Sequence, residues 1–362
     1  MPLRHFHPER YHALLSAKLA ANLPAFRPYY QAKPEIFESA PSHYRMRAEF
    51  RMWHDGDRVE FVMFPAATPR EPQRIEHFPI AATAIDDLIA PLRTLLNATP
   101  VLKHRLFQTE FLTTGCGDTL LTLIYHKKLD DGWRDAALAL QEKLGVHVIG
   151  RSRKQKVTLS RDYVTETLSI EQRTFRYRQS EGVFTQPNRG VNQHMIEWVL
   201  RHTAPDADDL LELYCGIGNF TLPLAQRFRK VLATEVSKQA VRLANHNRDV
   251  NQVDNLSLVR MSSEEFSQAF RQVRPFRRLA KTPLNDFRLR TLLVDPPRSG
   301  LDPATLGLAT DFERLIYISC NPLTLVENLA TLHATHRVTK LAFFDQFPYT
   351  DHLECGVILQ RQ

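Results

Sequence analysis

Residues 44–53 alternate strictly between apolar and polar or charged side chains, with Trp53 closing the polar series. Successive side chains of a β-strand point to opposite faces, so this pattern predicts a strand with one face in a core. Residues 54–57 interrupt the pattern, and a second apolar run follows at 59–64. The two runs predict a β-hairpin with a tight turn at Gly56. The polar face of the first strand consists of Arg45, Arg47, Glu49, Arg51 and Trp53.

Other patterns in the first half predict a mixture of helices and strands. Leucines at helical spacing predict a helix at residues 9–22, ended by Pro24 and Pro28. Further predicted helices cover residues 85–96 and 133–143, and predicted strands cover residues 120–125 and 146–149. These elements indicate a small α+β unit preceded by a helical arm.

Short apolar runs alternate with helical segments after residue 175. The predicted strands are 209–213, 231–234, 256–260, 291–294, 315–319, 339–344 and 355–359, and the predicted helices are 219–228, 238–250, 263–270 and 323–334. Such alternation predicts a Rossmann-like α/β domain with a mostly parallel, doubly wound sheet. The long Arg-rich connection at 274–290 is expected to form an insertion loop over the site.

The changes of pattern divide the chain into three parts. We expect an N-terminal helical arm at 1–38 that packs on the larger domain, an α+β domain at 39–175, and the Rossmann-like domain at 176–362. With 362 residues and 43% apolar content, both domains have enough apolar side chains for a core.

Cysteine usage and hydropathy narrow the class of protein. The four cysteines are widely spaced and form no CxxC pair, so we expect no disulfide framework, no metal and a reducing, cytoplasmic location. No window approaches the roughly 18 apolar residues of a membrane helix, and the N-terminus lacks the apolar core of a signal peptide. Neither membrane insertion nor export is expected.

Positive charge is concentrated in the first half of the chain. Residues 1–180 carry a net charge of +6 and residues 181–362 a net charge of +1. A basic region is typical of proteins that contact a phosphate backbone. Phe107 follows a run of basic residues, which suits base stacking beside phosphate contact. A solvated strand face for Arg45 and Arg47, and a core position for Phe107, remain alternatives.

Cys320 ends the apolar run at 315–319 and precedes Asn321 and Pro322, a typical helix start. Ligands of open α/β sheets bind beyond the carboxyl ends of the strands. Cys320 is therefore a candidate nucleophile, and a small buried hydrophobe is the alternative.

Two glycines, Gly216 and Gly218, lie in the first strand-to-helix turn of this domain, where they allow the backbone to approach a ligand closely. The third glycine of a dinucleotide fingerprint is absent. Glu235 ends the second strand and can accept hydrogen bonds from both ribose hydroxyls. The pattern favours S-adenosyl-L-methionine over a dinucleotide, and a helix N-terminal acid is the alternative for Glu235.

The motif DPPRSGLD follows the fourth strand of the domain at residues 295–302. Its prolines stiffen the turn and place the Asp295 carboxylate beside the crevice. Arg298 suits a pyrimidine carbonyl or a phosphate. A purely structural turn remains the alternative.

Together these motifs resemble those of the tRNA (uracil-5-)-methyltransferases over nearly the whole chain. The similar segments are SHYRMRAEF at 42–50, FTQPN at 184–188, LELYCG at 211–216, DPPRSGLD at 295–302, SCNP at 319–322 and FPYTDHLECG at 347–356. The resemblance implies a class I methyltransferase domain, S-adenosyl-L-methionine as cofactor, and the T-arm of tRNA as substrate, together with tRNA-like RNAs. It also implies a monomer in which Cys320 is the nucleophile and Glu354 the base. The residues implied for the cofactor pocket are Gln186, Tyr214, Asn219, Glu235 and Asp295.

The implied reaction explains why these groups are needed. Carbon 5 of uracil is a poor nucleophile until the Cys320 thiolate adds to carbon 6, and Glu354 must then remove the carbon 5 proton so that the thiolate can leave. Arg298 is expected to favour ionisation of the thiol. The target uridine must leave its stack, and Phe107 is expected to stack on what is exposed.

Two positions depart from the family pattern. Ile217 stands where Asn is expected, and Asp351 stands where His is expected. Neither departure removes a catalytic group, but Asp351 is expected to shift the acidity of Glu354.

Three other functions stay open at this point. A ribosomal RNA uridine C5-methyltransferase would use the same chemistry, although such enzymes typically carry an extra barrel domain or iron–sulfur cysteines. A dinucleotide-dependent oxidoreductase would fit the sheet but not the glycine turn. A non-catalytic RNA-binding protein would leave Cys320 and Glu354 without a role.

Overall fold

The computed structural model describes residues 6–64 and 71–362, which begin with a helical arm. Helix α1 spans Tyr11–Phe26, and Pro24 lies within its last turn, so the prediction that Pro24 ends the helix is wrong. A proline there removes only one backbone donor, and the buried Phe26 ring contacts Phe343 edge-on at 5.4 Å. Strand β1, Glu35–Phe37, then joins the edge of the large sheet. The first five residues of the predicted arm lie outside the described residues.

A seven-stranded sheet forms the centre of the small domain. Its strands are β2 Arg47–Asp55, β3 Arg58–Met63, β4 Gln73–Arg74, β5 Leu106–Thr113, β6 Thr119–Tyr125, β7 His147–Ser152 and β8 Gln155–Thr158, in the order β4-β3-β2-β5-β6-β7-β8. The accompanying helices are α2 Thr83–Ala98, α3 Pro100–Lys103 and α4 Asp131–Leu144. The predicted hairpin is confirmed, since Met52 pairs with Phe61 across its two strands. The side chains of Met52 and Phe61 lie in the core together with that of Phe50.

A separate hairpin, β9 Tyr163–Ile170 and β10 Arg173–Ser180, connects the small domain to the rest of the chain. Residue 175, the predicted domain boundary, falls inside β10. Two asparagines of the large domain bond to this strand: Asn247 Oδ1 accepts from the Arg178 amide and Asn251 Oδ1 from the Arg176 amide, both at 2.8 Å. The hairpin therefore contacts the large domain directly, and the boundary at 175 stays a prediction.

The large domain contains an eight-stranded sheet that includes β1. Its other strands are β11 Asp209–Leu213, β12 Val231–Glu235, β13 Leu256–Arg260, β14 Leu289–Val294, β15 Arg314–Ser319, β16 His336–Phe344 and β17 Glu354–Arg361. Its helices are α5 Arg189–Arg201, α6 Thr221–Leu224, α7 Lys238–Val250, α8 Ser263–Phe270, α9 Pro303–Ala309 and α10 Pro322–Leu332. The strand order is β1-β16-β17-β15-β14-β11-β12-β13, and β17 is antiparallel to both of its neighbours. The mostly parallel Rossmann-like sheet is confirmed.

Polar caps fix where several helices begin after the strand ends. Asn321 Oδ1 accepts from the Leu323 amide at the start of α10, and Asp302 Oδ1 accepts from two amides at the start of α9. These caps satisfy amides that have no partner within the helix. Helix α6 is shorter than predicted and passes into a 3₁₀ turn at Ala225–Arg227.

Candidate active site

A cavity of about 520 Å³ lies at the carboxyl ends of β11, β12, β14 and β15. Eight predicted site residues line it: Gln186, Tyr214, Asn219, Glu235, Asp295, Arg298, Cys320 and Glu354. Phe107, Arg45 and Arg47 lie outside this lining. Residues 274–290 also lie outside it, because Arg278 donates to the Arg260 carbonyl and ties the segment to β13. The expectation that this connection covers the site is therefore wrong.

The glycine turn and the strand-end acid form one hydrogen-bonded unit. Glu235 Oε2 accepts from the Gly216 amide at 3.1 Å, and its Oε1 accepts from the Ser237 amide at 2.7 Å. Gly218 has φ = 90°, a conformation that only glycine adopts without strain. Tyr214 also has positive φ and donates its hydroxyl to Ser263 Oγ at 2.6 Å. These contacts hold the turn open toward the cavity.

Amide side chains are paired along another wall of the cavity. Asn219 and Asn192 exchange hydrogen bonds at 2.8 and 2.9 Å. Gln186 Oε1 accepts from Gln346 Nε2 at 3.0 Å. Such pairing fixes the rotamers of the groups that a ligand would meet.

Cys320 follows the last residue of β15 and is half-buried. Burial raises the pKa of its thiol to about 11, and the charges of Glu354 and Asp295 act in the same direction, whereas Arg298 lowers it. Arg298 therefore lowers the pKa of the thiol as expected, but burial and the two carboxyl groups raise it by more. In the ligand-free protein the thiol is protonated at neutral pH.

Two buried carboxyl groups accompany the thiol. Burial raises the pKa of Glu354 to about 8, with Asp295 adding to the shift and Arg298 opposing it. Burial also raises the pKa of Asp295 to about 7. Within residues 6–64 and 71–362, Glu354 Oε2 has no hydrogen-bond partner. A buried carboxylate oxygen without a partner is available to take a proton from a ligand.

Asp351 and Ile217, the two departures from the family pattern, affect only their immediate surroundings. Asp351 precedes His352, whose Nδ1 accepts from Arg298 Nη2 at 2.8 Å. Asp351 is exposed, and its charge acts on the pKa of His352, while burial, Asp295 and Arg298 account for the shift at Glu354. The expectation that Asp351 tunes Glu354 is therefore not met. Ile217 is buried, and its carbonyl accepts from Asn247 Nδ2.

Glu212 is a cavity residue that the sequence interpretation passed over. It lies within the buried strand β11, and burial raises its pKa to about 8, with the Thr221 side chain opposing the shift and Asp295 adding to it. Its Oε2 has no hydrogen-bond partner. A lone charged residue between Leu211 and Leu213 was the signal in the sequence, since an acid is rarely buried without a purpose.

Arg45 and Arg47 lie in a cleft of about 290 Å³ beside the cavity, with Gly182 in the lining of both. Arg47 Nη2 donates to the Val183 carbonyl at 2.7 Å, and Arg45 Nε donates to the Arg47 carbonyl at 2.9 Å. Both side chains are half-buried, so they do not form the freely solvated face of the alternative interpretation. Three acids also line this cleft: Glu49, Glu110 and Glu181.

Phe107 lies on the small domain, away from the cavity lining. Its ring stacks on His126 with centroids 4.2 Å apart, and the Arg51 guanidinium lies 3.9 Å from its centroid. The ring is half-buried, which excludes the core alternative.

Membrane-spanning helices and metal-binding clusters are both absent from the described residues. Within 6–64 and 71–362, no helix is both long and apolar enough to cross a membrane. The same part of the chain contains no cluster of three or more His, Cys, Asp or Glu side chains that could hold a metal ion.

Comparison with known proteins gives concordant results. The family model described as tRNA (Uracil-5-)-methyltransferase matches residues 10–362. A tRNA/tmRNA (uracil-C(5))-methyltransferase of Aromatoleum aromaticum is 51% identical over 362 residues, covering 100% of this chain and 98% of the relative. A protein of the same name from Pseudomonas aeruginosa is 52% identical over 359 residues, covering 99% of each chain.

A solved structure supports the fold. The Pyrococcus abyssi tRNA (uracil-54, C5)-methyltransferase in complex with S-adenosyl-L-homocysteine has a TM-score of 0.70 and 18% identity, covering 95% of this chain and 83% of that chain. The family match and the two close relatives both extend over nearly the whole chain. This protein belongs to the tRNA (uracil-5-)-methyltransferase family.

Proposed function

We propose that this protein methylates carbon 5 of a uridine in the T-loop of tRNA, using S-adenosyl-L-methionine and a covalent bond from Cys320 to carbon 6. The observation that carries this proposal is the shared cavity of the Cys320 thiol, the unpartnered Glu354 carboxyl and the glycine turn. Close relatives named for tRNA and tmRNA support tRNA and tRNA-like RNAs as substrates. The activity is thus a C5-methylation and forms 5-methyluridine.

The cavity fits S-adenosyl-L-methionine in size and charge. A cavity of about 520 Å³ is within the usual range for small-molecule sites. Among the described residues, Glu212 Oε2 and Glu354 Oε2 are buried without a hydrogen-bond partner, and a cationic ligand would favour the ionised form of both carboxyl groups. When bound, the cofactor supplies an electrophilic methyl group on a positively charged sulfur. We assign Glu235 to the ribose hydroxyls, and Gln186, Tyr214, Asn219 and Asp295 to the remaining contacts.

Cys320 begins the reaction as the nucleophile. Its thiolate adds to carbon 6 of the uracil, and the electron pair of the C5=C6 bond becomes available at carbon 5, which takes the methyl group. Glu354 then removes the proton that remains on carbon 5. The electrons of that C–H bond restore the double bond, and the carbon–sulfur bond breaks to return the thiolate.

The protonation of the free site requires a change on binding. Cys320 and Glu354 have pKa values of about 11 and about 8, so both hold protons at pH 7 in the free protein. A positive charge in the cavity opposes the effect of burial and lowers both pKa values. Arg298 contributes in the same direction. We infer that the two reactive anions form only when the cavity is filled.

The RNA would be held by the small domain and the cleft beside the cavity. Arg45 and Arg47 present guanidinium groups in this cleft, within reach of a phosphate that flanks the target nucleotide. Phe107, with its flanking Arg51 and His126, would stack on a base exposed when the uridine leaves its stack. We propose that the protein is a monomer in a reducing, cytoplasmic location, and the free cysteines support the location.

The Cys320→Ala variant tests the proposed nucleophile. It should abolish methyl transfer to tRNA from labelled cofactor while tRNA binding survives, because the substitution removes only the sulfur. Cys116→Ala, at an exposed cysteine, serves as the matched control and should retain activity. Full activity of Cys320→Ala would overturn the assignment.

The Glu354→Gln variant tests the base. It should accumulate a denaturation-resistant protein–RNA adduct in the presence of cofactor, because the thiolate cannot leave until carbon 5 loses its proton.

Mapping of the methylated nucleotide after incubation with total RNA identifies the substrate. Methylation of ribosomal RNA alone would replace tRNA with the rival substrate, and finding only free RNA with Glu354→Gln would remove the base role.

A further inference from the structure

A lysine of the N-terminal arm contacts the loop that leads to Glu354. Lys18 Nζ donates to Asp345 Oδ1 at 2.6 Å, to the Phe347 carbonyl at 2.8 Å and to the His352 carbonyl at 3.1 Å. An ammonium group has three donors, so all of them are used. The Lys18 side chain is only 8% exposed and that of Asp345 only 1%. The ammonium group is therefore buried with all of its donors used, while Asp345 Oδ2 has no hydrogen-bond partner among the described residues.

The contacted loop, residues 345–353, joins β16 to β17 and ends directly before Glu354. The two carbonyls bonded by Lys18 lie near its opposite ends, so one ammonium group fixes both. His352 also accepts from Arg298, the cation beside Cys320. Lys18 thus bonds to the backbone of His352, a residue whose ring contacts Arg298 and which lies close to Glu354 in the sequence.

We propose that Lys18 is a positioning residue that holds the 345–353 loop so that the Glu354 carboxyl reaches the uridine bonded to Cys320. This inference rests on the proposed function. The affected step is the elimination, in which Glu354 takes the carbon 5 proton, the C–H electrons form the C5=C6 bond, and the carbon–sulfur bond breaks.

Attachment of the arm is the competing explanation, and other contacts already provide it. The Tyr11 hydroxyl accepts from the Ser39 amide at 2.7 Å, Phe26 contacts Phe343, and β1 pairs with β16. The arm should therefore stay in place without Lys18. Simple loosening of the arm would slow every step, whereas displacement of the loop would slow the elimination selectively.

Two variants remove the ammonium group in different ways. Lys18→Met leaves Asp345 buried without its partner, which is costly, so Lys18→Met/Asp345→Asn removes both charges. His12→Ala, an exposed position on the same helix, is the matched control. Lys18→Arg keeps the charge and the donors, and should restore much of the lost function.

The experiment compares ordinary tRNA with tRNA that contains 5-fluorouridine, in the presence of cofactor. Fluorine at carbon 5 cannot be removed as a proton, so the adduct is trapped whether or not Glu354 is in place. We expect both Lys18→Met variants to trap fluorinated tRNA at a rate within about twofold of the unaltered protein. With ordinary tRNA their steady-state fraction of adduct should rise about tenfold, because a displacement of about 1 Å can cost up to about 10²-fold in rate.

Each other outcome counts against the inference. An unchanged fraction of adduct on ordinary tRNA, or trapping that slows as much as turnover does, would overturn the positioning role while leaving the proposed function intact. Failure of the unaltered protein to trap fluorinated tRNA would overturn the proposed covalent route, and the role of Lys18 with it.

Discussion

Replacing Glu354 by glutamine should make the stability of the protein less dependent on pH. The pKa of Glu354 is raised by burial, with Asp295 adding to the shift, to about 8, whereas a glutamate in an unfolded chain titrates near about 4.3. Between these values the folded protein holds a proton that the unfolded chain has released. The free energy of unfolding therefore falls as the pH rises through this window, and the stability is fully present only below the unfolded pKa.

The size of the effect follows from the two pKa values. One pKa unit corresponds to about 1.4 kcal/mol, so the Glu354 carboxyl alone should lower the free energy of unfolding by about 3.5 kcal/mol between pH 5 and pH 8. A glutamine has no proton to release in this range. The Glu354→Gln variant should therefore lose about 3.5 kcal/mol less than the unaltered protein over the same interval.

Urea unfolding at pH 5 and pH 8, followed by tryptophan fluorescence, measures this difference. Glu76→Gln, at an exposed glutamate, is the control and should follow the unaltered protein at both pH values. The same loss of stability in Glu354→Gln and in the unaltered protein would show that the carboxyl is ionised in the folded state. That result would refute the conclusion that Glu354 is protonated in the folded protein at neutral pH.

Three further predictions concern activity and RNA binding. The ratio kcat/KM for tRNA should rise with pH from 7 to 9, because it follows the free protein, in which Glu354 and Cys320 must lose protons whose pKa values are about 8 and about 11; a flat pH profile of kcat/KM would contradict this. Reversing Arg45 and Arg47 to Glu should weaken tRNA binding and reduce the slope of its salt dependence by about one per lost phosphate contact, as measured by titration at several salt concentrations. An unchanged affinity would place the RNA elsewhere. Phe107→Leu should cost about 1–3 kcal/mol in tRNA binding without lowering the thermal midpoint substantially, and equal affinity would exclude a stacking role.

Alternation of apolar residues predicted β2, because one face of that strand is in the core, and short apolar runs predicted the strands from β11 onward, which are mostly buried on both faces. The same rule failed to describe Arg45 and Arg47, whose polar face is partly covered. Arg47 donates to the Val183 carbonyl, more than a hundred residues away in the chain. A contact of this kind comes from the packing of domains, which periodicity along one strand does not contain.

The residues of the candidate site could be predicted from the sequence, but the shifts of their pKa values could not. Cys320, Asp295 and Glu354 each follow or begin a strand, and their shared position at the sheet edge follows from topology. The high pKa of the thiol arises mainly from burial, and the two carboxyl groups that meet it there raise the pKa further. The sequence places Arg298 near Asp295, but it does not show that burial outweighs its charge.

The role of the arm was also beyond the sequence. A lysine on an amphipathic helix is typical of a solvated face, and nothing near Lys18 in the sequence indicates a buried partner. Its three acceptors lie 327 to 334 residues further along the chain. Similarly, the three residues of β1 are too short a run to be recognised as a strand without β16 beside them.

The position of β17 in the sheet bears on how the enzyme is made in the cell. This strand follows every other described strand of the sheet in the sequence, yet it lies between β15 and β16 and begins with Glu354. A nascent chain that has not reached residue 354 leaves two strands with unpaired backbone groups, which are prone to pair with other chains. Synthesis must therefore reach β17 before the sheet can close, so a polypeptide that stops before residue 354 would lack Glu354 and expose two unpaired strand edges.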